Sequence, residues 1–288
     1  MSPVTCILNS EKARLVPCGT RHHPASGPIV LTVYSIPALE SNYFWLLQPM
    51  PEKPEAYILD PGDAQPVLDC LLQHQLQLTG IIITHHHWDH TDGIDDLLAQ
   101  FSVPVYGPDS QRIPQVTHKL QGGDTLDLPD LQLDVLAVPG HTLDHLAYLH
   151  NDSQPAKLFC GDSLFAGGCG RMFEGQPEQM LASLNKLAAL PENTLIYCSH
   201  EYTLANLQFA LKVEPENNAL IDRLQQTQHL RQQHLSTLPS TIALERRTNP
   251  FLRCHLPAIK AAAERHAGST LTSDAAVFGA IRRWKDQA

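Results

Sequence analysis

The sequence predicts an α/β layered domain over residues 31–200, followed by a smaller all-helical domain over residues 201–288. The first observation is that short apolar, β-rich runs alternate with turn residues from about Ile29 to Cys198. The second is that such runs nearly vanish beyond His200, where helical patterns take over. The chain has 288 residues, enough for one large domain or two modest ones with a sizeable core. The β-rich runs are IVLTVYSI, AYILD, GIIIT, VPVYG, LQLDVLAV, KLFCG and TLIYC.

Helices are predicted on both sides of a boundary near residue 201. Before the boundary, apolar residues recur near helical spacing over residues 66–77 and 178–190, as in helices that pack on sheets. Beyond the boundary the pattern predicts four helices, one of them rich in Gln. These four cover residues 203–213, 218–235, 256–267 and 273–285.

The first 30 residues show no clear periodicity and lack the apolar core of a secretory signal. We expect them to form a poorly ordered N-terminal extension or to reflect an early start codon. No apolar run approaches the roughly 18 residues of a membrane span. We therefore expect no membrane segment and a cytoplasmic location.

Charge and cysteine content exclude several classes of protein. The formal net charge is −10 with no long basic run, so affinity for nucleic acid or for an anionic membrane is not expected. The seven cysteines form no CxxC pair, which argues against a disulfide framework and against a cysteine zinc site. We expect a monomer in a reducing compartment. A small anionic substrate would need a local basic site.

Four histidines cluster directly after the apolar run of residues 80–84, where the chain reads THHHWDHTDG. In this H-x-H-x-D-H pattern, His85 and His87 project to one side of an extended chain, so both can bind one ion. Asp89 and His90, around the bend, can reach a second ion nearby. The alternative is a polar loop with chance histidines, and partners further along the chain argue against it.

Three further apolar runs end in a residue that can bind metal: His141, Asp162 and His200. Taken singly, each of these could be a helix cap or a packed histidine. Strand ends at one edge of a sheet, however, gather side chains that are distant in sequence. Together, five His and two Asp predict a site for two divalent metal ions with open positions for water and substrate. Because all donors are N or O atoms, Zn is the first expectation, and Fe or Mn is chemically acceptable.

Motifs along the chain from about residue 31 resemble those of the glyoxalase II family in the metallo-β-lactamase superfamily. THHHWDH (84–90) is shared by much of the superfamily, whereas the later motifs are far more specific. The matching segments after it are PGHT (139–142), CGDSLFAGGCGRMFEG (160–175), SHEYTLANLQFA (199–210), NPFLR (249–253) and RRWKD (282–286).

The resemblance implies an αββα sandwich followed by a helical domain that helps to hold glutathione. It also implies two metal ions, each with three ligands of its own, and one carboxylate that bridges them. His85, His87 and His141 would bind the first ion, Asp89, His90 and His200 the second, and Asp162 both.

The substrate that the resemblance implies is S-D-lactoylglutathione, hydrolysed to glutathione and D-lactate in the second step of methylglyoxal detoxification. Arg282 and Lys285 would bind the glycine carboxylate of glutathione, because residues three apart share one face of a helix. Arg171 and Tyr202 would assist them. Family members often carry Lys at the position of Arg171, where the charge is kept, and Tyr at the position of Phe173, where a hydroxyl is lost.

Other residues near the predicted ligands allow two readings each. Asp144 stands where Gly is common in the family, which could alter loop packing beside His141 but removes no ligand. His145 could support a ligand or be a plain packed histidine. Cys160 and Cys198 each lie two residues before a ligand, and we favour buried small hydrophobes over thiolate ligands.

Two divalent ions about 3.5–4 Å apart lower the pKa of a bridging water toward about 7, which supplies hydroxide to attack the thioester carbon. Asp89 and Asp162 are predicted to orient that nucleophile. Rival enzymes on the same scaffold are a one-iron persulfide dioxygenase, a lactonase or a β-lactamase, and the C-terminal motifs argue against all three. A rival of another class is a non-catalytic metal-binding or RNA-processing partner, which measured thioesterase turnover would exclude.

Overall fold

The computed structural model describes residues 31–288, and the extension predicted for residues 1–30 lies outside that range. Two six-stranded sheets pack face to face, for example where Trp45 of the first meets Tyr197 of the second at 5.0 Å between rings. Helices cover the outer faces, and a helical region follows. The predicted fold class, an αββα sandwich followed by helices, is confirmed. None of the helices in the described range is long and apolar enough to cross a membrane.

The first sheet has the strand order β1-β2-β3-β4-β5-β6. Its first three strands pair antiparallel, and the pairs from β3 to β6 are parallel. The strands are β1 (Thr32–Ala38), β2 (Asn42–Gln48), β3 (Glu55–Leu59), β4 (Gln77–Ile82), β5 (Val105–Pro108) and β6 (His118–Leu120).

The second sheet has the order β14-β13-β10-β9-β8-β7, in which only β10 and β13 are parallel among the described strands. A small hairpin, β11 and β12, lies outside it. The strands are β7 (Thr125–Leu128), β8 (Leu131–Ala137), β9 (Leu146–His150), β10 (Lys157–Gly161), β11 (Leu164–Phe165), β12 (Gly168–Cys169), β13 (Leu195–Cys198) and β14 (Ser240–Thr241).

The helices fall where the sequence predicts them, with three additions: α2, α3 and α7. Four of the helices begin at an N-cap residue whose side chain accepts a backbone N–H bond: Asp63, Asn217, Thr241 and Ser273. The helices are α1 (Ala64–His74), α2 (Trp88–Thr91), α3 (Ile94–Leu98), α4 (Pro177–Ala188), α5 (Thr203–Val213), α6 (Asn218–Gln232), α7 (Ile242–Thr248), α8 (Pro257–Ala267) and α9 (Asp274–Asp286).

Strand β2 contributes side chains to two hydrophobic cores, one on each of its faces. Every residue of this strand is buried. Trp45 and Leu47 point into the core between the sheets, whereas Phe44 and Leu46 point into a second core under α1 and α3. Because both faces are covered, the strand reads as a continuous apolar run rather than an alternating one.

The helical region shares its core with the sandwich. Phe251, Phe278 and Ile281 belong to the same buried cluster as Leu184 of α4 and Phe159 of β10. Within the predicted all-helical region, β14 adds a two-residue strand to the edge of the second sheet. This strand satisfies backbone groups of β13 that the sheet edge would leave unpaired. The domain boundary near residue 201 stays a prediction.

A buried ion pair ties the helical region to the sandwich. Arg223 of α6 donates to Glu245 of α7 at 2.5 Å, with side chains only 6% and 0% exposed. The second carboxylate oxygen of Glu245 accepts the backbone N–H of Gly167, in the turn between β11 and β12. Removal of either charge would leave the other buried without its partner.

We predict that Glu245→Ala lowers the free energy of unfolding by about 3–5 kcal/mol, because Arg223 and the Gly167 N–H lose their shared acceptor. The matched control is Glu192→Ala, which breaks an exposed pair with Arg246 and should cost less than about 1 kcal/mol. Thermal unfolding of both variants measures the difference. Equal melting temperatures for the two would contradict the role given to the buried pair.

Candidate metal centre and adjoining pocket

The predicted ligands meet at one edge of the sandwich, beyond the ends of four strands. His85 follows β4, His141 follows β8, Asp162 follows β10 and His200 follows β13. Asp60, at the end of β3, fixes the first loop because its carboxylate accepts the backbone N–H and the hydroxyl of Thr84, both at 2.7 Å. Both sheets therefore contribute to one cluster.

The first group of ligands consists of three imidazoles. His87 Nδ1 lies 3.1 Å from His85 Nε2 and 3.0 Å from His141 Nε2. Nitrogens that bind one zinc ion tetrahedrally at about 2.0–2.1 Å lie roughly 3.3 Å apart, so this spacing suits a shared ion. The backbone carbonyl of Arg171 accepts His141 Nδ1–H at 2.8 Å, which leaves Nε2 as the ligand atom.

The second group combines two imidazoles with a carboxylate. Asp89 Oδ2 lies 3.5 Å from both His90 Nε2 and His200 Nε2. Asn42 Nδ2 donates to Asp89 Oδ2 at 3.0 Å, and Ser41 Oγ lies 3.0 Å from His200 Nδ1. These outer contacts orient the group.

Asp162 stands between the two groups. Its Oδ2 lies 3.5 Å from His141 Nε2 and 3.3 Å from His200 Nε2, while Oδ1 lies 3.5 Å from His90 Nε2. Within residues 31–288, Asp162 Oδ1 and His90 Nε2 are buried and have no hydrogen-bond partner. Such polar atoms are costly unless satisfied, and a cation between the groups would satisfy both. The donor set therefore suits a dinuclear metal site.

Electrostatics differ between the two groups. Burial and, after it, positive charge on His141 lower the pKa of His87 to about 4, so the ring is neutral and ready to bind a cation. Burial also opposes charge on His200, but the carboxylate of Asp162 outweighs it and raises the pKa of His200 to about 9. A cation at the second group must therefore displace a proton from His200.

His145 contacts two of the predicted ligands. The backbone N–H of Asp162 donates to His145 Nε2 at 3.1 Å, and the ring stacks on His85 at 4.6 Å. Gly161, with φ +50°, passes so close that an added Cβ would lie 2.7 Å from the His145 ring. A glycine is thus required at the turn that presents Asp162.

The two cysteines near the ligands are buried small side chains. Burial raises the pKa of Cys198 to about 12 and that of Cys160 well above its usual range, so both remain thiols. Cys160 Sγ donates to the carbonyl of Leu164. Neither belongs to any group of potential metal ligands among the described residues.

A cavity of about 620 Å³ opens beside the ligands. All five residues predicted to bind substrate border it. The cavity is also bordered by residues that were not predicted from the sequence, among them Trp88, Phe165, Cys169 and Asn206. For Trp88, the available signal was its aromatic side chain within the THHHWDH motif. The five predicted residues are Arg171, Phe173, Tyr202, Arg282 and Lys285.

Aromatic rings lie on the metal side of this cavity. Tyr202 stacks on His200, with ring centroids 4.6 Å apart and planes within 3°. Phe173, 63% exposed, lies edge-on to His87 and His141 at 5.4 and 5.3 Å. An exposed aromatic ring against ligand imidazoles is available for contact with a bound molecule.

Cationic side chains also line the cavity. Arg282 is 3% exposed and already donates to the Cys169 carbonyl at 2.8 Å and to Asp286 at 2.9 Å. Lys285 Nζ donates to Asn206 Oδ1. Burial, and after it the charge of Arg282, lowers the pKa of Lys285 to about 8.

Comparison with solved structures defines the class of protein. ETHE1 from Myxococcus xanthus superposes with a TM-score of 0.61 at 23% identity, covering 88% of this chain and 91% of that one. A metallo-beta-lactamase from Staphylococcus aureus gives 0.60 at 20% identity, covering 90% and 72%. Residues 42–200 match the family model of the metallo-beta-lactamase superfamily. The protein is a metallo-β-lactamase-fold protein with a dinuclear metal site.

Sequence comparison defines the family. Residues 201–288 match the model described as hydroxyacylglutathione hydrolase C-terminus. The hydroxyacylglutathione hydrolase of Alkalilimnicola ehrlichii is 53% identical over 258 residues, which cover 89% of this chain and 99% of that protein. That of Nitrosomonas eutropha is 49% identical over 259 residues, with the same coverage. The chain belongs to the hydroxyacylglutathione hydrolase, or glyoxalase II, family of thioester hydrolases.

We predict that Asp162→Ala loses both metal ions, because this carboxylate contacts ligands of both groups. Metal analysis after gel filtration measures the stoichiometry. Asp152→Ala, which removes an exposed carboxylate that belongs to none of the candidate ligand groups among the described residues, is the control and should keep about two ions. An Asp162→Ala variant with two ions and full turnover would disprove the ligand assignment.

Proposed function

We propose that the protein hydrolyses S-D-lactoylglutathione to glutathione and D-lactate, the second step of methylglyoxal detoxification. One observation carries the proposal: two ligand groups joined by Asp162 open onto a cavity that Arg282 and Lys285 also line. A glutathione thioester carries a carbonyl group that would bind at the two ligand groups. It also carries a carboxylate that would bind at the cationic side chains. The names of the relatives support the same substrate class.

We propose as ligands of two divalent ions the seven residues given by the sequence, His85, His87, Asp89, His90, His141, Asp162 and His200. When bound, such ions lower the pKa of a water between them toward about 7 and polarise a carbonyl oxygen. Zn is the first choice, and Fe or Mn also suits N and O donors. Asp89 and Asp162 are the proposed catalytic residues, because their carboxylates can accept hydrogen bonds from the attacking water and fix its direction.

Water that has lost one proton to solvent adds to the thioester carbonyl carbon, the carbon–sulfur bond breaks, and the sulfur leaves as the thiolate of glutathione. The lactic acid that forms loses its proton to solvent. A thiolate is stable enough to depart without an acid poised beside it. Asn42 holds Asp89, and His145 holds the backbone at Asp162, so both carboxylates keep their direction during the addition. This fixed geometry replaces reorganisation of solvent.

The glutathione half of the substrate would lie along the remaining lining of the cavity. Arg282 and Lys285, assisted by Arg171, provide charged hydrogen bonds to the glycine carboxylate, and the Cys169 carbonyl and Asp286 hold the Arg282 guanidinium in place. Tyr202 and Phe173 would contact the part nearer the sulfur. A local cationic site offsets the repulsion between an anionic substrate and a chain of charge −10.

The remaining expectations from the sequence belong to the same proposal. We propose a cytoplasmic monomer that binds neither nucleic acid nor membrane, with 31–200 as the catalytic domain and 201–288 as the glutathione-binding domain. The acidic net charge supports the expectation that the protein binds neither nucleic acid nor membrane.

The direct test is turnover of S-D-lactoylglutathione by the metal-loaded protein, beside a small thioester that lacks glutathione. Release of glutathione thiol with strong preference for the first substrate is expected. Lack of thiol release from either substrate by protein that holds two ions would refute the proposal.

We predict that Lys285→Ala and Arg282→Ala each raise KM for S-D-lactoylglutathione about 10-fold to 100-fold, because a hydrogen bond to a charged group contributes roughly 1.5–3 kcal/mol. The contact is remote from the reacting carbon, so kcat and metal content should change little. Equal effects on the small thioester, or none on either substrate, would remove these residues from the binding site.

The pKa of Lys285 generates a separate prediction. With a pKa of about 8, the ammonium is charged below that pH and loses its proton above it. KM for the glutathione thioester should therefore rise as the pH increases through about 8. Lys285→Arg keeps its charge and should flatten the rise. A wild-type KM independent of pH from about 7 to about 9 would contradict the role of the ammonium.

A further inference from the structure

A network of four side chains lies behind the first ligand group, outside the proposed ligand set. His86 Nδ1 donates to the carboxylate of Asp144, at 2.9 and 3.0 Å from its two oxygens. Arg112 donates to His86 Nε2 at 2.6 Å and to Glu174 Oε1. Because Arg112 contacts one ring nitrogen and Asp144 the other, the His86 ring is held at both ends.

Asp144 connects two of the loops that carry ligands. Its partner His86 stands between His85 and His87 in the loop after β4. Its second partner is Thr142, whose hydroxyl donates to Asp144 Oδ1 at 2.6 Å and which directly follows the third ligand of the first group. One carboxylate thus fixes both loops relative to each other.

Glu174 connects the segment that follows β12 to the loop that carries His141. Its Oε2 accepts the backbone N–H of Leu143 at 2.8 Å. In the same segment, the carbonyl of Arg171 accepts from His141, and Phe173 N–H donates to the His141 carbonyl at 3.2 Å. Glu174 therefore holds in place the segment that sets the orientation of the His141 ring.

These contacts concern the first ligand group alone. The partners of Asp144 and Glu174 are His86, Thr142, Ser110, Leu143 and Arg112, and none of these touches the second group through the hydrogen bonds described for residues 31–288. The second group has its own support in Asn42 and Ser41. A change at Asp144 should therefore affect the two ions unequally.

We propose that Asp144 and Glu174, through His86 and Arg112, are positioning residues that hold the three histidines of the first metal site in their binding geometry. The inference rests on the proposed metal ligands and adds residues that set the affinity of one ion. Asp144 and His86 are 17% and 9% exposed, so their bond is poorly screened, whereas Arg112 is 61% exposed. Asp144 should thus contribute more than Arg112.

The test uses the holoenzyme with two zinc ions, titrated with a chelator without substrate. Asp144→Ala should weaken binding of one ion about 10-fold to 100-fold, the usual effect of losing a partner behind a ligand, and leave the other unchanged. Arg112→Ala should have a smaller effect. Asp144→Asn keeps an acceptor oxygen and should recover part of the loss; Asp152→Ala is the matched surface control and should match wild type.

Two further measurements separate positioning from general destabilisation. Anomalous scattering from crystals of partly chelated Asp144→Ala should show reduced metal occupancy at the first site, where the three histidines lie. His86→Ala combined with Asp144→Ala should weaken binding by less than the sum of the two single changes, because both remove the same His86–Asp144 bond. If Asp144→Ala does not fold, the same titration and occupancy are read from Asp144→Asn.

Equal weakening of both ions, additive effects of His86→Ala and Asp144→Ala, or unchanged affinities in Asp144→Ala would overturn the inference. Loss of a third ion in Asp144→Ala would also overturn it, because His86, Asp144 and Glu174 would then be metal ligands themselves. A wild-type protein that holds fewer than two ions would overturn the proposed metal site as well, whereas the other outcomes leave the proposed reaction intact.

Discussion

The buried carboxylate of Asp162 is the charge on which the rest of the active edge depends. Burial alone would keep this group protonated, but positive charge on His200 and His90 outweighs burial and holds the pKa of Asp162 well below its usual range. An ionised carboxylate between two groups of imidazoles needs cations for full compensation. The fold supplies this position by ending β10 in a glycine turn against His145, so that Asp162 faces both groups.

The sandwich makes this arrangement rigid. Strand β2 is covered on both faces, and the core between the sheets continues into the C-terminal helices through Phe251 and Phe278. The helical region therefore takes part in shaping the site. Arg223 and Glu245 fix Gly167, which lies in the turn of the hairpin that lines the cavity. Movement of the helices would alter the metal edge and the proposed substrate site together.

The sequence predicted the fold class, the helices apart from α2, α3 and α7, and the clustering of the seven proposed ligands, because periodicity and strand-end position are local signals. It did not predict β2, whose residues 43–47 alternate between two cores, so that no polar residue interrupts this apolar run. The partners of Asp144 were also beyond reach, since His86 and Asp144 are 58 residues apart and meet only through the fold. Likewise, the charge of Arg282 could be read from the sequence, but its bond to the Cys169 carbonyl could not.

We propose that Asp162 joins the two metal sites. X-ray absorption spectroscopy of the zinc-loaded protein measures the distance between the ions and the ligands of each. If Asp162 joins the sites, the metal–metal distance is about 3.5–4 Å and the ligands are N and O atoms. A spectrum without a metal–metal contribution from protein that holds two ions, or one with sulfur ligands, would contradict this proposal.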